Sequence, residues 1–239
     1  SSAASDVYKR QTFSKEALDA VTGDLKTFAV DHISVTGDLV NFSVPPEYIA
    51  ARAWLETLGP ASAVTVIPGN HDVYVRQALR WPMEFWGDYM RGDEGAGSGA
   101  SPILRRRGAV VLIALCSALP TKPLLATGWL GEKQLLRFAT ALEETRALFR
   151  VVLIHHPPVS PPERFLRRLT DAAEFRGILA EKGAELILHG HDHCHSLVWL
   201  DGPGKAIPAL GVPSASARAT PGSEDAAGYN LFRIAGEPG

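Results

Sequence analysis

The chain has 239 residues, 46% of them hydrophobic, enough for a full core in a single domain. A formal net charge of −2 excludes a bulk electrostatic draw toward nucleic acid or an anionic membrane. Two cysteines, Cys116 and Cys194, exclude a disulfide framework and favour a reducing cytoplasm, and the longest apolar run falls well short of the roughly 20 residues a bilayer span requires.

Residues 1–11 (SSAASDVYKRQ) read as foreign to the rest. Back-translated, they resemble the transposase adapter of a short-read sequencing library, so the native sequence is expected to begin near Thr12 with upstream sequence missing. Ser14 then caps a helix with Leu18, Val21, Leu25 and Phe28 on one face. A strand over residues 32–36 ends in Gly37-Asp38. Pro45-Pro46 opens a second helix, with Ile49, Ala53 and Trp54 facing inward, that stops at Gly59-Pro60. The β-branched run Val64-Thr65-Val66-Ile67 follows and breaks at Pro68-Gly69 into Asn70-His71-Asp72. This alternation predicts βαβ units.

Residues 74–102 interrupt it, with Trp81, Phe85, Trp86 and Tyr89 at helical spacing and a Gly/Ser-rich stretch over 92–101. The segment reads either as a lid over a substrate pocket or as an amphipathic helix packing its aromatics on the core. Arg105-Arg106-Arg107 reads as a solvated edge before a strand over 110–115. A helix is expected over 131–149, with Leu135, Phe138, Ala139 and Leu142 on one face. Strand 151–154 then delivers His155 and His156 into a proline-broken loop. Asp171 and Glu174 make a capping-box-like start to a helix carrying Phe175, Ile178 and Leu179. Leu186-Ile187-Leu188 leads into His189-Gly190-His191-Asp192-His193, and alternating runs at 197–200, 206–210 and 229–234 predict antiparallel strands.

Four apolar strands thus end in carboxylate, amide or imidazole, at the end where open α/β sheets bind ligands. Oxygen and imidazole donors suit divalent Mn, Fe, Zn or Ni. Asp38 has two oxygens and can bridge two ions, while Asn70 offers a neutral amide oxygen. His191 and His193 flank Asp192, on one side of an extended chain or, in a turn, addressing two adjacent ions. Two ions about 3.5–4 Å apart can clamp a phosphoryl group and make hydroxide from water near neutral pH.

Gly37-Asp38, Gly69-Asn70-His71-Asp72, His155-His156-Pro157 and Gly190-His191-Asp192-His193 resemble, in order, spacing and strand context, the motifs of the calcineurin-like metallophosphoesterases. The resemblance runs from about Val30 to the C-terminus and is greatest to the bacterial cyclic-nucleotide phosphodiesterase and glycerophosphodiesterase branch. The fold this implies is α/β: a two-sheet β sandwich flanked by helices, four layers αββα, with residues 12–239 as one domain. Carried over, Asp38 would bridge both ions, Asn70, His155 and His191 would complete the second, and His193 would ligate the first. His71 would stabilise phosphoryl oxygens or protonate the leaving oxygen, with Asp72 orienting it. His156, His189 and Asp192 would stand behind the ligands.

One departure matters. The family's first motif, Asp-x-His, has no counterpart before Asp38, since Asp31-His32 are adjacent and start their strand rather than end it. The first metal's site is therefore expected to be incomplete, the first strand missing, and activity impaired. The implied function is metal-dependent phosphodiester hydrolysis on a small substrate such as a cyclic nucleotide, through a two-metal-activated hydroxide. Alternatives are a nucleotide-sugar-lipid pyrophosphatase, a phosphomonoesterase, a nuclease or, in another class, a metal-poor binding scaffold. Retention of Asn70 and His71 counts against the scaffold. The partner expected is a small phosphoester, with no membrane span, no nucleic acid and a homodimer left open. His32 is expected to be solvated and His195 to lie on the surface, with Cys116 a small hydrophobe and Cys194 incidental.

Overall fold

Ser14 starts the first helix as its residue type suggests: its Oγ accepts the Ala17 N–H at 3.2 Å, and α1 spans Lys15–Leu25. The structure, a computed structural model, describes residues 14–93, 101–122, 124–218 and 226–236. The adapter-like stretch 1–11 and most of the Gly/Ser-rich stretch lie outside these.

β1 (Ile33–Val35) and β2 (Val64–Val66) form a two-stranded parallel sheet, joined by α2 (Pro45–Leu58). After the short α3 (Trp81–Trp86) come β3 (Ile103–Arg107), β4 (Val110–Ala114), α4 (Glu132–Glu144), β5 (Phe149–Leu153), α5 (Ala172–Lys182), β6 (Leu186–His189), β7 (Ser196–Leu200) and β8 (Ile207–Gly211). These six strands form one sheet in the order β3-β4-β5-β6-β8-β7, parallel through its middle and antiparallel at both edges.

Alternate residues divide the core. Val111, Ile113, Val152, Ile154 and Ile187 pack against Phe138 and Leu142 of α4 and Phe175 and Leu179 of α5. Leu112, Ala114, Val151, Leu153 and Leu186 face the other way and cluster with Ile67, just past β2. A sheet covered on both faces needs apolar residues at every position, so its strands read as unbroken apolar runs. Beyond the small sheet, Tyr48 and Leu55 of α2 and the aromatics Trp86 and Tyr89 pack on Val64 and Val66. The result is a two-stranded parallel sheet and a six-stranded mixed sheet flanked by helices, with every motif at the carboxyl end of a strand.

Several expectations shift. Ile49 is 60% exposed while Tyr48, Ala51 and Leu55 are buried, because the Tyr48 hydroxyl donates to Asp72 O at 2.6 Å and its ring stacks on Trp86, rotating the helix face by about one residue. Arg105 is not solvated: it is buried, and its guanidinium donates to the carbonyls of Ala61, Val64, Asp88 and Arg91 at 2.6–2.9 Å. His32 is half-buried between Thr65 Oγ1 at 2.7 Å and the Arg107 guanidinium at 3.2 Å. The helix expected over 131–149 ends at Glu144, and Phe149 opens β5. Asp171 makes no capping box. Its carboxylate accepts the N–H groups of Leu130 and Gly131 instead, at 2.8–3.1 Å. Residues 229–234 form no strand.

Candidate metal centre

The loops that leave the strands are held in unusual backbone conformations. Gly37 has φ +99°, and three non-glycine residues, Asp38 (+59°), His191 (+69°) and His193 (+55°), also take positive φ. A Cβ on Gly69 would meet Asp38 N and His155 Cε1 at 2.6 Å, so only glycine lets the two motif loops approach this closely. Such strain gathers where a site demands a geometry.

Four lone-pair atoms converge there. His191 Nδ1 lies 3.0 Å from Asn70 Oδ1 and 3.2 Å from His155 Nε2. His155 Nε2 lies 3.2 Å from Asn70 Oδ1 and 3.3 Å from Asp38 Oδ2. His155 Nδ1 donates to Thr36 O at 2.6 Å, which fixes the tautomer and leaves Nε2 with a bare lone pair. Donors about 2.0–2.2 Å from one divalent ion sit roughly 3–3.5 Å from each other, so this set fits a metal. His191 Nε2 is buried with no hydrogen-bond partner among the described residues, a rare condition in a finished core.

His156 also lies near, its ring within 4.8 Å of a donor atom of His155 and of His191. It is no ligand here, because both nitrogens are engaged: Nε2 donates to Ala126 O at 3.1 Å and Nδ1 pairs with Ser117 Oγ at 2.8 Å. Burial, with His155 beside it, pushes this imidazole down to about 3, so it stands neutral. His189 is buried too, with Nδ1 near Gly190 O at 3.2 Å, and burial lowers its proton affinity. His193 is half-buried and lines the same cavity as Asp38, His71, His155 and His191.

Asp72 ties the centre together. Its buried carboxylate accepts the N–H groups of Asp38 (2.8 Å), Val40 (3.0 Å) and Gly69 (2.8 Å), fastening the loop after β1 to the loop after β2. It does not touch the His71 ring, which the sequence suggested it would orient. That ring is held by Asn41 O, 2.9 Å from Nδ1, and stacks on Tyr74 with centroids 5.9 Å apart. Backbone carbonyls carry no signature in sequence, so Thr36 and Asn41 were not legible as the groups orienting His155 and His71. Arg164, from the turn after the proline-rich loop, pairs with the Asp192 carboxylate.

The charges follow from this packing. Burial would raise the Asp38 carboxyl, but the His155 imidazole and the His71 N–H outweigh it and hold the group well below the usual carboxylate range. Burial, then the Asp38 charge, pushes Asp72 up to about 7. Burial would lower His155, yet Asp38 raises it, so a proton and a metal ion compete for Nε2. His191 is driven far down by burial and by His156 and His155, with Arg167 adding to the effect.

The model of the family described as "Calcineurin-like phosphoesterase" matches residues 3–195. The match starts within residues 1–11, so it does not set that stretch apart. No curated protein sequence matches. Among solved structures, a dimetal phosphatase from Danio rerio aligns with TM-score 0.59 and 13% identity over 85% of this chain and 78% of its own. At that identity the likeness is one of fold, and it agrees with two sheets flanked by helices. With a family match over most of its length, the chain belongs to the calcineurin-like phosphoesterases, metal-dependent hydrolases of phosphoric esters.

Proposed function

We propose that the chain hydrolyses a small phosphodiester, cyclic nucleotides being the first candidates, at a centre for two divalent ions. The observation that carries this is the four-atom set of Asp38, Asn70, His155 and His191, with a tautomer already fixed for ligation. These residues would hold one ion, and Asp38 and His193 would contribute to a second. When bound, such ions supply a water acidified enough to attack near neutral pH and neutralise charge on the phosphoryl oxygens.

The chain's own residues supply the rest. Asp38 stays ionised because His155 and the His71 N–H favour its charge. Asp72 holds the two loops in register. His71 donates Nδ1–H to Asn41 O, so a proton given to the leaving oxygen would come from Nε2 of the imidazolium form. Asp192, paired with Arg164, fixes the loop that carries His191 and His193.

The second ion needs more donors than Asp38 and His193. A strand beside β1 ending in Asp-x-His would deliver them, a reading supported by the open space there. Cavities of about 460 Å³ and 1020 Å³ flank β1, the larger lined by Leu112, Val151, Leu186 and Leu188 of the large sheet. Cys116 and Cys194 form no disulfide, which suits the cytoplasm proposed as the compartment, and no helix among the described residues is long and apolar enough to cross a membrane.

Elemental analysis after Mn or Zn loading, followed by turnover on bis(4-nitrophenyl) phosphate, 4-nitrophenyl phosphate and cyclic nucleotides, tests the reading. Metal bound at Asp38, Asn70, His155 and His191 with diester preference is expected. Failure to bind metal would sink it, and a monoester preference would replace the phosphodiesterase with a phosphomonoesterase.

A further inference from the structure

Two segments far apart in sequence pair beside the His155-His156 loop. Ala126 N–H donates to Leu166 O at 2.9 Å, Gly128 N–H to Arg168 O at 3.0 Å and Thr170 N–H to Gly128 O at 2.9 Å, so residues 124–130 and 165–170 form a short parallel ribbon. Its inner side is fixed by the core. Ala126 O accepts His156 Nε2–H at 3.1 Å, a Cβ on Gly128 would collide with the His156 ring, and Leu130 and Leu169 join the apolar cluster under α4 and α5.

What the ribbon leaves in water is apolar and basic. Leu124, Trp129, Phe165 and Leu166 are 51–91% exposed. Lys122 and Arg167 are exposed beside them, and the Arg168 guanidinium lies over the Phe165 ring, 3.6 Å from its centroid. Arg164 is occupied by Asp192, a pair that ties the ribbon to the loop of His191 and His193. Glu163 is the one carboxylate in residues 121–130 and 161–170, against Lys122, Arg164, Arg167 and Arg168, so this face is cationic in a chain of net charge −2.

Single exposed apolar side chains need no explanation, but four large ones on one ribbon, interleaved with cations, mark a contact surface. An anionic bilayer satisfies both halves at once. Leucine and phenylalanine enter the acyl boundary, an indole sits at headgroup level, and Lys and Arg meet the lipid phosphates. We propose that this ribbon docks the protein on an anionic lipid surface. The attraction is local, carried by Lys122, Arg167 and Arg168 rather than by the charge of the whole chain. It rests on the ribbon alone and stands whichever phosphoester the centre takes.

Co-sedimentation of the full chain with vesicles tests it. Vesicles of equimolar phosphatidylcholine and phosphatidylglycerol should retain the chain at least about 10-fold better than phosphatidylcholine alone, since each cation near an anionic surface contributes roughly a 5-fold gain. The pair Leu124→Ser, Leu166→Ser and, separately, the pair Lys122→Ser, Arg167→Ser should each lower retention about 10-fold. Thermal midpoints should hold, because all four side chains are exposed. No retention, or equal retention on the two kinds of vesicle, would overturn the proposal. So would retention that survives both pairs of substitutions, which would place the contact elsewhere. A dimer seen by sedimentation velocity without vesicles, and lost in the leucine pair, would assign the face to a second copy of the chain and overturn it as well.

Discussion

The two sheets use the same parallel pairing yet are finished to different degrees. In the large sheet β4, β5, β6 and β8 each have a strand on both sides, and α4 and α5 seal one face with Phe138, Leu142, Phe175 and Leu179, all fully buried. In the small sheet β2 is buried at all three residues, while its partner β1 is only half-buried at all three. α2 and Trp86 close the β2 side, whereas cavities lie along the β1 side. Asp38, His71, His155, His191 and His193 all line the smaller of these cavities, so the centre opens onto the β1 side, where packing is less complete.

The largest expected effect tests the centre itself. His71→Ala should lower turnover on the order of 10²–10⁴-fold, as removal of a general acid does. Bound metal, by elemental analysis, should be unchanged. Metal loss in this variant would instead make His71 a ligand and redraw the shell.

Asp72→Ala comes next. It leaves the N–H groups of Asp38, Val40 and Gly69 without their acceptor, and three unsatisfied buried donors cost about 3–5 kcal/mol together. The urea midpoint should fall accordingly, and metal affinity with it, since Asp38 and Gly69 lose their common anchor. A stable variant with normal metal affinity would show that the loops are held elsewhere.

The large sheet has its own buried polar contact. Glu185 accepts from the Arg150 guanidinium and backbone N–H at 2.8–3.0 Å, and both side chains are mostly buried. Glu185→Gln should cost about 2–3 kcal/mol at pH 7. Burial opposes ionisation of Glu185, but its bonds to Arg150 outweigh that and lower its pKa in the folded chain. A lowered carboxylate stabilises the fold above its unfolded value of about 4.3 and loses that contribution as pH falls through the folded value. The gap between wild type and variant should therefore be full at pH 7 and shrink below pH 4. A gap that does not change with pH would mean the charge contributes nothing.

Much of this was legible in the sequence, and the reasons can be located. The strand ends could be read because short unbroken apolar runs and Gly-Asp, Gly-Asn-His and Gly-His signatures are local, and local patterns survive folding. The inward face of α2 could not, since Tyr48 is drawn in by a bond to Asp72 O, 24 residues away. Arg105 looked like part of a solvated basic run because its acceptors are backbone carbonyls from two distant segments, residues 61–64 and 88–91. The same blindness hid Thr36 and Asn41. Residue type announces a ligand, but it says nothing about a carbonyl that aims one.

The smallest effect separates the two sides most directly. Leu153 and Leu188 lie on adjacent strands and face the same way, toward the small sheet. Leu153 is fully buried in a cluster with Ile67, over the closed side. Leu188 is half-buried and lines the 1020 Å³ cavity beside β1. Truncating a packed leucine removes both its transfer energy and the contacts around the new void, so Leu153→Ala should cost about 3 kcal/mol. Leu188 already borders empty space, forfeits few contacts, and should cost only about 1 kcal/mol when truncated. Urea denaturation of the two variants gives the difference. Equal costs would mean that the β1 side is as tightly packed as the β2 side, and the case for a further strand there would lose its physical basis.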